Sequence, residues 1–173
     1  TWKIAPALAA GNTVVAKPSE ITPATAYLLS QILDEGNFPK GVLNIVHGTG
    51  PGVGEQLVSH PEVPIISFTG GSETGKHISR IAAPLFKKLS LELGGKNPNI
   101  LFADCDFDAM LSTTMRSSFA NQGQICLCGS RILVERPIYD RFVKAFVAKT
   151  KQLRVGPPDQ TGVQIGAVVS QAH

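Results

Sequence analysis

Three stretches of this 173-residue chain carry side chains able to do covalent chemistry or to hold a phosphorylated ligand. The first is Asn121-Gln122-Gly123-Gln124-Ile125-Cys126-Leu127-Cys128-Gly129-Ser130-Arg131. A cysteine on such a loop can act as a nucleophile, because its thiol titrates near about 8.5 and nearby N–H donors lower that value. The same residue type is equally at home as a small buried hydrophobe, and spacing alone does not separate the two readings. Cys126 and Cys128 also have the look of half a metal site. Zinc takes four ligands, Cys105 has no partner motif, and the four histidines lack a His-Glu-x-x-His spacing, so no metal site is expected.

The second stretch is Leu89-Ser90-Leu91-Glu92-Leu93-Gly94-Gly95. Strand alternation sends Leu89, Leu91 and Leu93 to one face and Ser90 and Glu92 to the other. A carboxylate at a strand end before a double glycine can be aimed into a cleft as a general base. It is also what a solvated strand residue looks like. The third stretch, Lys17-Pro18-Ser19-Glu20, follows a short apolar strand. Ligands of parallel sheets bind outside the carboxyl ends of strands, where a Lys and a Glu can hold ribose hydroxyls. The plain alternative is a surface ion pair.

Phe68-Thr69-Gly70-Gly71-Ser72-Glu73-Thr74-Gly75-Lys76-His77 admits two uses. One is a strand–glycine–helix turn whose helix N-terminus holds a pyrophosphate. The other is a P-loop of a nucleotide hydrolase: Gly70, Gly75 and Lys76 fit Gly-x-x-x-x-Gly-Lys-[Ser/Thr], but His77 stands where the Mg²⁺-binding hydroxyl belongs.

The elements that must position these groups alternate along the chain. A helix ends near Ala10, and strands are expected at 13–16, 42–46, 65–68, 89–93, 100–102 and 131–134. Helices are expected from Thr22 as N-cap and Pro23 at the first helical position to Leu33, then over 55–59, 72–82, 107–120 and 137–153, with a turn over 48–54. Strands joined by helices of this length imply a parallel α/β sheet flanked by helices. Gly94-Gly95 is the candidate boundary between two lobes, 1–93 and 94–173.

Composition narrows the classes. With 43% hydrophobic and 17% charged residues the chain is not disordered. Its 16 basic and 13 acidic residues give only +3, without a basic run, so nucleic acid is not an expected partner. The apolar runs are too short for a membrane span, and three cysteines fit a reducing, cytoplasmic setting better than a disulfide scaffold. The chain opens on Thr1-Trp2-Lys3 without an initiator Met, which reads as a segment of a longer protein.

Taken together, Lys17-Pro18-Ser19-Glu20, Phe68-Thr69-Gly70, Leu91-Glu92-Leu93-Gly94-Gly95-Lys96 and Gly123-Gln124-Ile125-Cys126 resemble, in order and spacing, the aldehyde dehydrogenase superfamily. The run Arg116 to Cys128 looks like that family's 2-aminomuconic/2-hydroxymuconic semialdehyde branch. The resemblance implies a Rossmann-type parallel sheet in the C-terminal part of an NAD-binding domain, residues 1–93, and the N-terminal part of an α/β catalytic domain, residues 94–173, both incomplete. It implies NAD as cofactor, an aldehyde as substrate and a parent that forms a homo-oligomer. Cys126 takes the place of the nucleophile and Glu92 that of the base. Lys17 and Glu20 take the adenosine-ribose contacts, while Gly70, Gly71, Leu93 and Gly94 line the cofactor site. Gly71 stands where many relatives carry Ser, which removes a hydroxyl contact to phosphate. The second oxyanion donor, an Asn, falls upstream of Thr1; a glutamate for the nicotinamide ribose and an oligomerisation strand fall beyond His173. On that basis the isolated chain is expected to be an inactive fragment.

Overall fold

The computed structural model describes residues 2–173. The chain divides between Leu93 and Gly94 into two compact units.

The first unit runs through helix α1 (Ile4–Ala9), strand β1 (Val14–Ala16), helix α2 (Ala24–Glu35), strand β2 (Leu43–Ile45), helix α3 (Glu55–Ser59), strand β3 (Ile65–Gly70), helix α4 (Ser72–Ala82) and strand β4 (Lys88–Leu93). β1 pairs in parallel with β2, Val14 opposite Leu43, and β3 in parallel with β4, Ile65 opposite Lys88 through Gly70 opposite Leu93. Each pair is parallel because a helix, α2 or α4, carries the chain back to the starting edge. Val58, Ile66 and Ile78 form the buried core, with Phe68, Leu89 and Leu91 packed against it. Leu89, Leu91 and Leu93 are half-buried, and Ser90 and Glu92 are exposed, as alternation requires.

The second unit contains strand β5 (Pro98–Leu101), helix α5 (Phe107–Phe119), strand β6 (Arg131–Val134) and helix α6 (Tyr139–Thr150). β5 and β6 pair in parallel, Pro98 opposite Arg131, with α5 as the crossover. Asp106 caps α5, its Oδ1 accepting from the N–H groups of Asp108 and Ala109 at 3.0 Å each. Leu101, Met110, Leu111 and Phe142 form the core, and the Phe142 and Phe146 rings stack with centroids 5.2 Å apart.

Several details differ from the sequence expectation. The strands form three separate parallel pairs, not one continuous sheet. At the start of α2 the flanking position is Pro23 itself, and no side chain caps the helix. The expected turn at 48–54 contains a single wide π-type helical turn, Gly50–Gly54, closed by Thr49 Oγ1 accepting from Gly52 N at 3.2 Å. β5 begins at Pro98, a tolerated first strand position for a residue without an N–H. Pro137 lies in a short 3₁₀ turn, Arg136–Ile138, before α6 begins.

Candidate active site

In the first unit the implied cofactor residues lie at the carboxyl ends of two strand pairs, Lys17 and Glu20 after β1, and Gly70, Gly71 and Leu93 at the end of β3–β4. Lys17 follows β1, and its Nζ donates to Pro18 O at 2.8 Å and to Gly48 O, just past β2, at 3.1 Å. It also meets Glu20 Oε2 at 3.4 Å. The Lys17 stem runs past Gly54, its Cε 3.5 Å from where a Cβ would stand. Lys17 is therefore held at three points. Glu20 is solvent-exposed; a hydrogen bond from its own backbone N–H, then the Lys17 ammonium, keep its carboxyl below the usual range.

Gly70, Glu92 and Leu93 meet at the end of the β3–β4 pair: Thr69 lies opposite Glu92 and Gly70 opposite Leu93. Gly71 flanks α4 in extended conformation, no side chain caps that helix, and a Cβ on Gly71 would meet open space. α4 sits tightly on β4, since a Cβ on Gly75 would fall 2.8 Å from Leu93 Cδ2. The P-loop alternative finds no support in this geometry. The segment is helical from Ser72 onward, Gly75 is buried inside the helix, and Lys76 is paired with Glu73 at 2.7 Å.

In the second unit α5 ends at Phe119, and Asn121, Gln122 and Gly123 follow in the left-handed region at φ 49, 57 and 74°. Two consecutive non-glycine residues there are held against an intrinsic cost of about 1–2 kcal/mol each. A tight turn comes next, in which Cys128 N donates to Ile125 O at 2.9 Å. Cys126 occupies the turn and is exposed; Cys128 beside it is buried. Among the described residues the Cys126 N–H has no hydrogen-bond acceptor.

This turn is fixed from several directions. Asn97 Nδ2 donates to the carbonyls of both Cys126 and Cys128, the latter at 3.3 Å. Gly129 N donates to Ser117 Oγ at 3.1 Å, and Val169 N to Gln124 Oε1 at 2.9 Å. Asn97 carries no signal of its own in the sequence beyond its place just after Gly94-Gly95-Lys96. Glu92 and Leu93 belong to the first unit, and Gly94 and Cys126 to the second. Cys105 is exposed, far along the chain from the turn.

Among the described residues no three His, Cys, Asp or Glu side chains cluster to hold a metal ion, and no helix is long and apolar enough to cross a membrane.

An exposed thiol on a fixed turn, strands paired in parallel across helical crossovers, an uncapped helix N-terminus and a Lys–Glu pair at a strand end define an α/β enzyme segment. The aldehyde dehydrogenase family profile matches residues 1–173, and the chain belongs to that family. It is 60% identical over 173 residues to human (Homo sapiens) 2-aminomuconic semialdehyde dehydrogenase, covering 100% of this chain and 36% of that protein. It is 49% identical over 174 residues to 2-hydroxymuconic semialdehyde dehydrogenase of Pseudomonas sp. (strain CF600), again covering 100% of this chain and 36% of the relative. The crystal structure of a betaine aldehyde dehydrogenase point mutant from Staphylococcus aureus, in complex with NAD⁺ and with a β-mercaptoethanol-modified cysteine, superimposes with a TM-score of 0.94 at 44% identity. That match covers 99% of this chain and 35% of the other. The chain thus spans little more than a third of the length of these relatives.

Proposed function

We propose that the protein carrying this chain is an NAD-dependent aldehyde dehydrogenase that oxidises a muconic-type semialdehyde to the carboxylic acid, with Cys126 as nucleophile and Glu92 as general base. The observation that carries the reading is the exposed Cys126 on a turn pinned by Asn97, Ser117 and Gln124, with its own N–H unpaired among the described residues.

Each group has a chemical task. The Cys126 thiolate adds to the aldehyde carbon and forms a thiohemiacetal. The negative oxygen that develops there accepts from the Cys126 N–H, which loses no other partner in doing so. Loss of hydride from the carbon leaves a thioester on Cys126. Glu92 takes a proton from water, the water oxygen adds to the thioester carbon, and collapse releases the acid and returns the thiolate. The β-mercaptoethanol-modified cysteine of the Staphylococcus aureus relative supports an accessible thiol in this family.

The first unit suits a dinucleotide. Glu20 remains ionised beside Lys17 and can accept from ribose hydroxyls, while a 2′-phosphate there would be repelled. The uncapped N-terminus of α4, with Gly71 leaving open space before it, suits the pyrophosphate. Leu93 and Gly94 close the same end of β4. The chemistry supplied by bound NAD⁺ is hydride acceptance.

The deciding experiment replaces Cys126 with Ala in the full coding chain and follows NADH absorbance with a semialdehyde. Activity is expected to fall by at least about 10³-fold, as for loss of a covalent nucleophile. Wild-type turnover in C126A would remove Cys126 from the mechanism.

A further inference from the structure

We propose that Arg116, on the hollow beside the Cys126 turn, is a specificity-determining residue that grips the remote carboxylate of the semialdehyde. This rests on the reading of Cys126 as nucleophile and deepens it by naming the side chain that selects the far end of the substrate.

α5 presents two stripes. Met110, Leu111 and Thr114 are buried and supply its core face. Thr113, Arg116, Ser117 and Ala120 recur at helical spacing on another face, and instead of an apolar seam this face offers two hydroxyls and a guanidinium. That face lines a hollow of about 330 Å³, which Ile125, Leu127 and Cys128 line as well. Ile125 and Leu127 bracket Cys126, so the hollow reaches the residues on either side of the thiol. Leu127 is 74% exposed and Ile125 40% exposed, which leaves the apolar part of that lining uncovered.

The lining contains no acidic residue, and among the described residues no carboxylate lies in salt-bridge range of Arg116. A guanidinium at the last turn of α5 complements the helix dipole, and that alone would be satisfied by any cation pointing into water. It does not account for hydroxyls and an apolar wall around the same hollow. A chain with an apolar body and an anionic end matches all three: Ile125 and Leu127 for the body, Arg116 for a two-pronged grip on the carboxylate, Thr113 for an added donor.

The test uses the full coding chain and two aldehydes of equal carbon number, 6-oxohexanoate and hexanal. The ratio of their kcat/KM values is expected to favour the acid in the wild type. It should fall at least tenfold in R116Q, chiefly through KM, and sit between the two in R116K. A ratio within threefold of wild type in R116Q overturns the subsite while leaving the aldehyde dehydrogenase reading intact. Protection supplies a readout without turnover: adipate is expected to slow iodoacetamide labelling of Cys126 in the wild type and not in R116Q. Adipate protection without NADH formation from either aldehyde would sink the activity reading and leave the subsite standing. Absence of protection in the wild type counts against the subsite. A Tm taken for each variant, with R116K as the conservative control, separates loss of binding from loss of fold.

Discussion

Asn97 Nδ2 donates to the carbonyls on either side of Leu127, and so restrains the backbone that carries the Cys126 sulfur. Asn97→Ala leaves the Cys126 carbonyl without its partner, while the Cys128 carbonyl keeps Ser130 N at 2.9 Å, so the turn loosens on its Cys126 side. The expected result is a fall in kcat of about tenfold, the scale of one or two lost hydrogen bonds. It should come with a changed rate of Cys126 alkylation and little change in the KM for NAD⁺; unchanged alkylation and kcat would show that the turn holds itself. Glu20 makes a second residue-level prediction. Its carboxyl titrates below the usual carboxylate value of about 4.3, so its contribution is present above that value and is lost only as pH falls through the lower, folded one. NAD⁺ affinity measured by fluorescence titration should therefore hold steady down to about pH 5. Glu20→Gln should shift cofactor preference toward NADP⁺ several-fold. Cys126 and Glu92 stood out in the sequence because few residue types do their chemistry. Asn97 did not, because Lys96-Asn97-Pro98 reads as loop and its partners lie 29 and 31 positions away.

At the level of elements, the order of strands and helices was legible because apolar alternation and helix spacing are local signals. On the stripe of Leu89, Leu91 and Leu93, the first two pack against the core and Leu93 lies against Gly75 of α4, as the period demands. What local signals could not give was the pairing into three separate strand pairs, or the run of left-handed residues after Phe119. Both depend on contacts distant in sequence. The contact between α4 and β4 is a case where two rules compete at one position. Ala at position 75 gains about 1 kcal/mol of helix propensity over Gly. Its Cβ would also stand 2.8 Å from Leu93 Cδ2 and 3.0 Å from Cδ1, and overpacking of this kind costs about 1–3 kcal/mol. Gly75→Ala is thus expected to be neutral to destabilising by about 2 kcal/mol, the difference between those two effects. In a Leu93→Ala background the clash is gone, and the same substitution should stabilise. Denaturant melts of the four variants of this cycle, each in the full coding chain, read the coupling directly, and a Gly75→Ala effect that is the same in both backgrounds would show that α4 does not press on Leu93.

For the whole molecule the governing quantity is surface. The chain exposes 12371 Å² at 18.3 kDa. A compact monomer of that mass exposes about 8,100 Å² by the usual scaling, and two independent halves about 9,800 Å² between them. The excess holds whichever way the two units are arranged, so it belongs to faces within them. Tyr27, Leu28 and Ile32 on α2 are each more than half exposed, as are Ile100 on β5 and Leu133 on β6. Among the described residues every sheet has two strands, which leaves the outer edges of each pair without a further strand. Parallel sheets are ordinarily covered on both faces, and open edges template further pairing. Relatives that are nearly three times as long have the additional chain to cover such surface; these 173 residues on their own do not. Expressed alone, the chain is therefore expected to associate, binding a hydrophobic dye and scattering light in proportion to concentration, with no sharp melt. The full coding chain should show none of this. A monodisperse 18.3-kDa species with a single cooperative transition would mean that the uncovered faces cost far less than their area implies.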